Sequence, residues 1–196
     1  MLKIHAMALG LYQTNCYIIH EETSKTCCII DPGYQAGDIL DAVERLGLIV
    51  EAVLLTHGHF DHVGAVRDVA AETGCKVYIC GEDLSMPPQV TAGPLYYTHT
   101  YQGGDVLELA GLTIYVRHTP GHTPGSVCLM VENAVFSGDT LFAGSCGRTD
   151  LPGGSWPAIL KSLRGLAELE ADLKVYPGHG ESTTLAEEKK YNPYMR

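Results

Sequence analysis

Short apolar runs separated by turn residues dominate the first half of the chain. Their length and composition predict β-strands at 2–9, 16–20, 26–31, 51–56 and 76–80. The turn Asp31-Pro32-Gly33 is predicted to close the third of these strands. Apolar residues at helical spacing predict helices over 36–47, with Gly47 at the stop, and over 63–73, followed by Gly74.

The second half alternates strands and helices in the same manner. The pattern predicts strands at 105–109, 112–118, 126–132, 134–138 and 174–176, and helices over 155–169 and 184–191. Residues 82–104 are rich in Pro, Gly and Tyr and predict a long irregular insertion, a feature that often borders a functional site. Strands and helices in both halves predict an α+β fold, a four-layer αββα sandwich of two mixed β-sheets with helices on the outer faces.

The composition is that of an ordinary globular protein, with 45% hydrophobic and 18% charged residues. We expect the whole chain, 1–196, to form one domain. We find no cationic leader and no apolar run long enough to span a membrane, so we expect a cytoplasmic protein without a membrane partner. The seven cysteines include no metal-type C-x-x-C pair, and their odd number and the absent leader favour reduced thiols. A formal net charge of −10 argues against nucleic acid as the main partner, and the oligomeric state stays open.

The segment THGHFDHVGA at 56–65 crowds four metal-ligand side chains together: His57, His59, Asp61 and His62. Imidazole and carboxylate groups are costly to bury without partners. The apolar run just before the segment predicts a buried strand that ends at this cluster. A bound metal explains such a cluster best, and the rest of the chain then has to supply the missing ligands.

Three later segments each place further candidate ligands beside glycine, just beyond a predicted buried strand. HTPGHTPGS contains His118 and His122, FSGDT contains Asp139, and VYPGHGES contains His179. So many groups exceed the needs of one tetrahedral zinc. Three imidazoles suit one metal, an aspartate with two imidazoles suits a second, and a further carboxylate can bridge the two. Nitrogen and oxygen ligands fit zinc, iron or manganese.

These segments carry a family resemblance. THGHFDHVG resembles the H-x-H-x-D-H signature of the metallo-β-lactamase superfamily, and DPG, HTPGHTPGS, SGDTLF and PGHG are similar to its other motifs in the same order. The resemblance covers nearly the whole chain. Within the superfamily the chain resembles the glyoxalase II-like (hydroxyacylglutathione hydrolase-like) branch, in particular its short bacterial members. The aspartate at 139 favours this branch over true β-lactamases, which often place a cysteine among the ligands of the second metal.

The resemblance implies a complete set of ligands for two divalent ions, with zinc favoured. His57, His59 and His122 are then the ligands of one metal, Asp61, His62 and His179 are the ligands of the other, and Asp139 bridges the two. Asp61 and Asp139 are the catalytic carboxylates of this assignment.

The resemblance also implies roles for three residues around the metals. Asp31 matches a buried carboxylate that orients a ligand histidine, although it also fits the opening of a turn. His118 is interpreted as a support of its loop rather than as a ligand. Arg148 matches a residue that contacts the substrate carboxylate, and a salt bridge to Asp150 is an equally good interpretation.

A dinuclear metal-dependent hydrolase is therefore our leading hypothesis, with a metal-bridging hydroxide as the nucleophile. We expect a small acyl-thioester as substrate, because a thiolate, whose conjugate acid has a pKa of about 8.5, leaves without a proton donor. We expect no C-terminal helical domain of the kind that binds glutathione in longer relatives. The chain also has Gly180 and Glu181 after His179, where a tyrosine is usual in the branch. Specificity for glutathione is therefore in doubt.

An alternative from another reaction class stays open. A persulfide dioxygenase, a relative in the same superfamily, uses a single iron held by two histidines and one aspartate. In this chain those residues are His57, His122 and Asp139. The number of bound metals separates the two hypotheses.

Overall fold

The computed structural model describes residues 1–195. The first sheet is built from β1 (Leu2–Leu9), β2 (Thr14–Glu21), β3 (Thr26–Ile30), β4 (Ile49–Leu54), β5 (Lys76–Cys80) and β6 (His99–Tyr101). These strands lie side by side in chain order. The first three are antiparallel, and β3 to β6 run parallel to one another. The sheet is therefore mixed, as the sequence predicts.

The second sheet and a small hairpin come from the rest of the chain. Their strands are β7 (Val106–Leu109), β8 (Leu112–His118), β9 (Val127–Val131), β10 (Ala134–Gly138), the hairpin β11 (Leu141–Phe142) and β12 (Ser145–Cys146), β13 (Lys174–Pro177) and β14 (Thr183–Thr184). The order in the sheet is β14-β13-β10-β9-β8-β7. Only β10 and β13 pair in parallel among these described strands, so this sheet is mixed as well.

The helices are α1 (Ala36–Arg45), α2 (Phe60–Val63), α3 (Val66–Thr73), α4 (Pro88–Thr91), α5 (Trp156–Ala167) and α6 (Leu185–Tyr191). Helices α1 and α3 pack on the outer face of the first sheet, and α5 and α6 pack on the outer face of the second. The longest of them, α5, begins at Ser155, whose side chain accepts a hydrogen bond from the backbone N–H of Ala158. None of the described helices is both long and apolar enough to cross a bilayer.

Alternation along the strands explains the four layers. Neighbouring side chains of a strand point to opposite faces, so Ile19 joins the core between the two sheets while Ile18 packs under the helices. The core between the sheets includes Leu129 and Phe136 from the second sheet. A separate cluster around Leu163 packs α5 on the outer face of that sheet. The predicted α+β fold of two mixed sheets with outer helices is confirmed.

The prediction of an irregular insertion at 82–104 is wrong in part. A 3₁₀ helix occupies Gly81–Ser85, α4 follows, and β6 extends the first sheet by pairing with β5. The Tyr101 hydroxyl donates a hydrogen bond to the carbonyl of Leu55 and so fixes the end of β6 to the sheet. A strand of three residues has too few positions to show alternation, which explains why the pattern missed it.

Candidate metal centre

The candidate ligands all follow strands of the two sheets. His57 and His59 lie directly beyond β4, and the short helix α2 carries the next two candidate ligands. His122 lies in the loop between β8 and β9. Asp139 directly follows β10, and His179 follows β13. Strands that end in a common region bring together residues that are far apart in the chain.

Three buried histidines form the first cluster: His57, His59 and His122. One ring nitrogen of each lies within 4.8 Å of the others. The closest pair is Nδ1 of His59 and Nε2 of His122, which are 2.8 Å apart. Two imidazole nitrogens at this distance can share a proton or face a common cation.

The second cluster consists of Asp61, His62 and His179, whose ligand atoms also lie within 4.8 Å of one another. Nε2 of His62 is 3.3 Å from Nε2 of His179. Nε2 of His179 is 3.2 Å from Oδ2 of Asp61. The hydroxyl of Thr14 donates to the same carboxylate oxygen over 3.2 Å and holds the Asp61 side chain towards the cluster.

Asp139 lies between the two clusters and contacts both of them. Its Oδ2 is 3.5 Å from Nε2 of His122 in the first cluster and 3.5 Å from Nε2 of His179 in the second. Its Oδ1 is 3.3 Å from Nε2 of His62. Gly178 makes this position possible, because a Cβ at that residue would lie 2.2 Å from Oδ1 of Asp139. The structure thus places one carboxylate where it can reach two cations.

The unsatisfied polar atoms of the centre show that the residues fit metal ions. Three buried side-chain atoms have no hydrogen-bond partner among the described residues: Nε2 of His57, Nε2 of His59 and Oδ1 of Asp139. Buried polar atoms without partners are rare and costly. Nitrogen and carboxylate oxygen donors around one small volume are the set that zinc, iron and manganese accept. The centre therefore fits divalent ions, and its donors do not select one metal.

Hydrogen bonds behind the histidines direct their Nε2 atoms inwards. Nδ1 of His122 donates to the carbonyl of Arg148 over 2.7 Å, and Nδ1 of His179 donates to the carbonyl of Tyr12 over 3.1 Å. A carbonyl oxygen can only accept, so in both rings Nδ1 carries the proton. The Nε2 lone pair is then free to bind a cation.

Asp31 fixes the Nδ1 protons of two further histidines, His62 directly and His57 through Thr56. Its carboxylate accepts hydrogen bonds from Nδ1 of His62 at 2.9 Å and from the backbone N–H and the hydroxyl of Thr56 at 2.7 Å and 2.6 Å. Because the Thr56 hydroxyl donates to Asp31, it accepts from Nδ1 of His57, which is 3.1 Å away. Asp31 lies within 4.8 Å of ligand atoms of His57 and His62. Because its carboxylate already accepts three hydrogen bonds, we interpret it as a residue that orients the ligands and not as a metal ligand.

Burial and neighbouring charges set the protonation of the centre. Burial lowers the pKa of His57 well below its ordinary value and lowers that of His59 to about 4, so both rings are neutral and can act as ligands. Burial also opposes the charge of His62, but Asp139 and Asp31 outweigh it and raise the pKa of His62. Burial alone would raise the pKa of Asp139, and the charge of His62 reverses this and holds that pKa well below its usual range.

The sequence of this centre matches a known family. Residues 9–179 match the model of the metallo-beta-lactamase superfamily. The chain belongs to the metallo-β-lactamase superfamily. This match spans all seven candidate ligands, and with the His/Asp clusters it supports a metal-binding hydrolase.

Several superfamily members resemble the whole chain. The hydroxyacylglutathione hydrolase GloC of Haemophilus influenzae is 34% identical over 209 residues, which cover 99% of this chain and 98% of GloC. The structure of the BLEG-1 B3 metallo-β-lactamase has a TM-score of 0.89 and 36% identity, covering 100% of this chain and 99% of that one. A di-iron-bound form of TTHA1623 has a TM-score of 0.84 and 36% identity, covering 97% and 99%. ETHE1 from Myxococcus xanthus has a TM-score of 0.87 and 30% identity, covering 97% and 83%.

His118 and Arg148 also lie outside both clusters. Nε2 of His118 is 2.7 Å from the carbonyl of Pro124 and 3.6 Å from a carboxylate oxygen of Glu82, so its ring braces the loop that carries His122. The guanidinium of Arg148 is exposed and donates two hydrogen bonds of 2.7 Å to Asp150. The structure therefore shows the salt bridge for Arg148, the second of the two interpretations.

A cleft of about 240 Å³ opens onto the centre. Its walls combine metal-centre residues with an apolar rim and one cation: Tyr12, His59, Phe60, Asp61, Gln89, Val90, His122, Asp139, Arg148 and Leu151. The ring of Tyr12 packs edge-on against Phe60 with 5.4 Å between centroids. Outside the metal centre, the walls of the cleft are therefore apolar except for Arg148 and the polar Gln89.

Sequence reasoning missed one buried acid near the centre. Asp83 lies in the 3₁₀ helix after β5 and is completely buried. Burial raises its pKa, which hydrogen bonds from Gly125 and Gly58 counteract. It follows an apolar strand just as the candidate ligands do, and that position was the available signal. The prediction of an irregular insertion at 82–104 concealed it.

Proposed function

We propose that the chain is a dinuclear metal-dependent hydrolase that acts on thioesters, as a glyoxalase II-like enzyme does. The observation that carries the proposal is the position of Asp139, within 3.5 Å of Nε2 atoms from both clusters. A carboxylate in this position can reach two ions, which a single-metal site does not require. The name of GloC, a full-length relative at 34% identity, supports hydrolysis of an acylated thiol.

Each part of the chain has a defined task in this proposal. The three histidines of the first cluster would hold one ion, Asp61, His62 and His179 would hold the other, and Asp139 lies between the two groups. Bound divalent ions lower the pKa of water and polarise a carbonyl group, which is the chemistry that hydrolysis needs. The Nδ1 hydrogen bonds keep four imidazoles in the tautomer that binds a cation. The apolar rim of the cleft takes the acyl or thiol part of the substrate and excludes water around it.

A thiolate leaving group suits this centre. The described cleft residues include no acid outside the two clusters and Asp139. An alkoxide or amine leaving group needs a proton donor, whereas a thiolate leaves without one at neutral pH.

All seven cysteines are free and six are buried, which supports a reducing, cytoplasmic location.

The protein is expected to bind two metal ions per chain. Purification under anaerobic conditions with added zinc, manganese or ferrous iron, followed by elemental mass spectrometry, should give close to two equivalents of metal. The physical reason is that seven donor side chains, three of which carry an unsatisfied buried atom, exceed what one tetrahedral ion can use.

A firm ratio of one, with iron as the only metal and oxygen uptake in the presence of a persulfide, would contradict the hydrolase. That result would favour the mononuclear-iron persulfide dioxygenase, in which His57, His122 and Asp139 hold the iron. The di-iron-bound form of TTHA1623 shows that iron alone does not decide the question, because a relative holds two irons. The ratio of metal to chain is the deciding measurement.

Glutathione thioesters are expected to be hydrolysed with little preference over thioesters of a small thiol. The cleft offers one cation, Arg148, and Asp150 already occupies it with two hydrogen bonds. Exposed ion pairs contribute about 1 kcal/mol at most, so the ratio of kcat/KM should stay within about tenfold. The assay compares lactoylglutathione with an acylated small thiol, and nitrocefin is added because BLEG-1 is named a metallo-β-lactamase. A preference for glutathione of about a hundredfold would contradict this expectation, and faster cleavage of nitrocefin than of either thioester would contradict the proposed thioesterase activity.

A further inference from the structure

Asp83 is a buried carboxylate whose hydrogen bonds all leave its own element. Its Oδ2 accepts from the backbone N–H of Gly58 at 2.8 Å and from the hydroxyl of Thr123 at 2.9 Å. Its Oδ1 accepts from the backbone N–H of Gly125 at 2.6 Å. The side chain has no solvent exposure. Three donors on one buried carboxylate form charge-assisted bonds, which are stronger than neutral ones.

The three donors belong to the two loops that carry the first metal cluster. Gly58 lies between His57 and His59 in the chain, and Thr123 directly follows His122. The carboxylate therefore connects the loop after β4 with the loop between β8 and β9. Each loop contributes to the cluster in which Nδ1 of His59 and Nε2 of His122 are 2.8 Å apart.

The packing around Asp83 leaves little freedom for these loops. A Cβ at Gly125 would lie 2.7 Å from Oδ1 of Asp83, so only glycine lets the loop approach this closely. The hydroxyl of Thr123 also lies 2.8 Å from the hydroxyl of Ser126, which extends the network across the loop. A side chain so placed sets a distance between the two loops and does not merely fill space.

We propose that Asp83 is a positioning residue for the first metal cluster. Its carboxylate holds the histidines of the two loops at the spacing that one metal ion requires. The inference rests on the proposed function, because it takes the cluster of His57, His59 and His122 to bind a metal. Asp83 touches neither the metal ligands' nitrogen atoms nor the cleft. It acts through Gly58, Thr123 and Gly125.

The test is the metal affinity of Asp83→Asn. Asparagine keeps the size of the side chain but places an NH₂ donor against an N–H or O–H donor, so at least one connection between the loops is lost. Chelator competition with zinc, followed by elemental mass spectrometry, should show one of the two ions bound about 10–100-fold more weakly than in the unaltered protein, and the other nearly unchanged. Circular dichroism checks that the variant is folded.

Glu188→Gln is the matched control. Glu188 is also buried and accepts three hydrogen bonds, from the backbone N–H of Gly144, the hydroxyl of Thr183 and the amide of Asn192, at 2.7–2.9 Å. None of these donors lies in the two loops that Asp83 connects. Loss of a buried, hydrogen-bonded carboxylate is common to both variants, so only a positioning role lowers metal affinity in Asp83→Asn alone.

Three results would overturn the inference. The first is a folded Asp83→Asn that binds both ions within about twofold of the unaltered protein, and the second is an equal loss in Glu188→Gln. If Asp83→Asn does not fold, Thr123→Val removes one donor and keeps the charge. It should weaken one ion about tenfold, and unchanged affinity is the third contradicting result. Failure of the unaltered protein to bind metal would contradict the proposed function itself and is separate from these results.

Discussion

Replacing Asp139 by alanine is expected to slow thioester hydrolysis by roughly a thousandfold or more, which corresponds to about 4 kcal/mol of lost transition-state stabilisation. The carboxylate contacts Nε2 atoms of His62, His122 and His179 and therefore both clusters. Its loss removes a ligand and a negative charge together. Two divalent ions at short range then repel each other with less compensation, so one ion should also be lost or bound more weakly.

Folding of the Asp139→Ala variant should survive, because the core between the two sheets does not include this residue. The measurements are circular dichroism, metal content and the rate with a thioester. His118→Ala is the comparison: His118 braces the loop that carries His122, and its loss should cost only about 10–100-fold. A variant without Asp139 that keeps two ions and near-normal turnover would contradict the bridging role. Greater damage from His118→Ala in folded protein would show that ligand and support have been exchanged.

The candidate ligands stand out in the sequence for a physical reason. Most of these polar residues lie just beyond a buried strand, beside glycine, where an unpaired imidazole or carboxylate has no ordinary explanation. Strand ends such as those before His57, Asp139 and His179 are visible in the apolar pattern. The apolar pattern does not divide the ligands between two ions, and that division came from the family resemblance. In the structure two close groups of donor atoms have these members, and a third joins Asp31 with His57 and His62.

Long-range contacts mark the limit of sequence reasoning. Asp83 accepts hydrogen bonds from residues 25, 40 and 42 positions away in the chain, and no local pattern records such partners. The strand β6 likewise exists because its residues pair with β5, Tyr78 opposite His99. The polar network that orients the histidines, with Tyr12 and Arg148 as carbonyl acceptors, depends on backbone positions and carries no side-chain signal.

Asp31→Asn is expected to have the largest effect on stability, a loss of about 3–5 kcal/mol in the metal-free protein. The Asp31 carboxylate is 1% exposed and accepts bonds from Thr56 and from Nδ1 of His62. Asparagine keeps the size of the side chain and tolerates the positive φ of 50° at this position, so the backbone is not the cause of the loss. The cause is removal of the charge beside a buried imidazole.

The pH dependence of this loss provides a separate check. Burial opposes the charge of His62, yet Asp139 and Asp31 raise its pKa above the ordinary value, so its folded pKa lies above the unfolded one. A raised pKa adds stability that is complete below the unfolded value of about 6.5 and is lost as the pH rises through the folded pKa. The difference between the unaltered protein and Asp31→Asn should therefore be largest near or below about pH 6 and shrink as the pH rises.

Denaturant unfolding of chelator-treated protein at several pH values measures both effects. The control is Asp38→Asn, which removes an exposed carboxylate that accepts one hydrogen bond from Gln35, and its stability should change by at most about 0.5 kcal/mol. If Asp31→Asn unfolds at the same denaturant concentration as the unaltered protein, the Asp31 carboxylate does not stabilise His62. A loss that grows with rising pH would show that His62 is neutral in the folded metal-free protein. In that case Asp31 acts only as a hydrogen-bond acceptor that orients the ring for the metal.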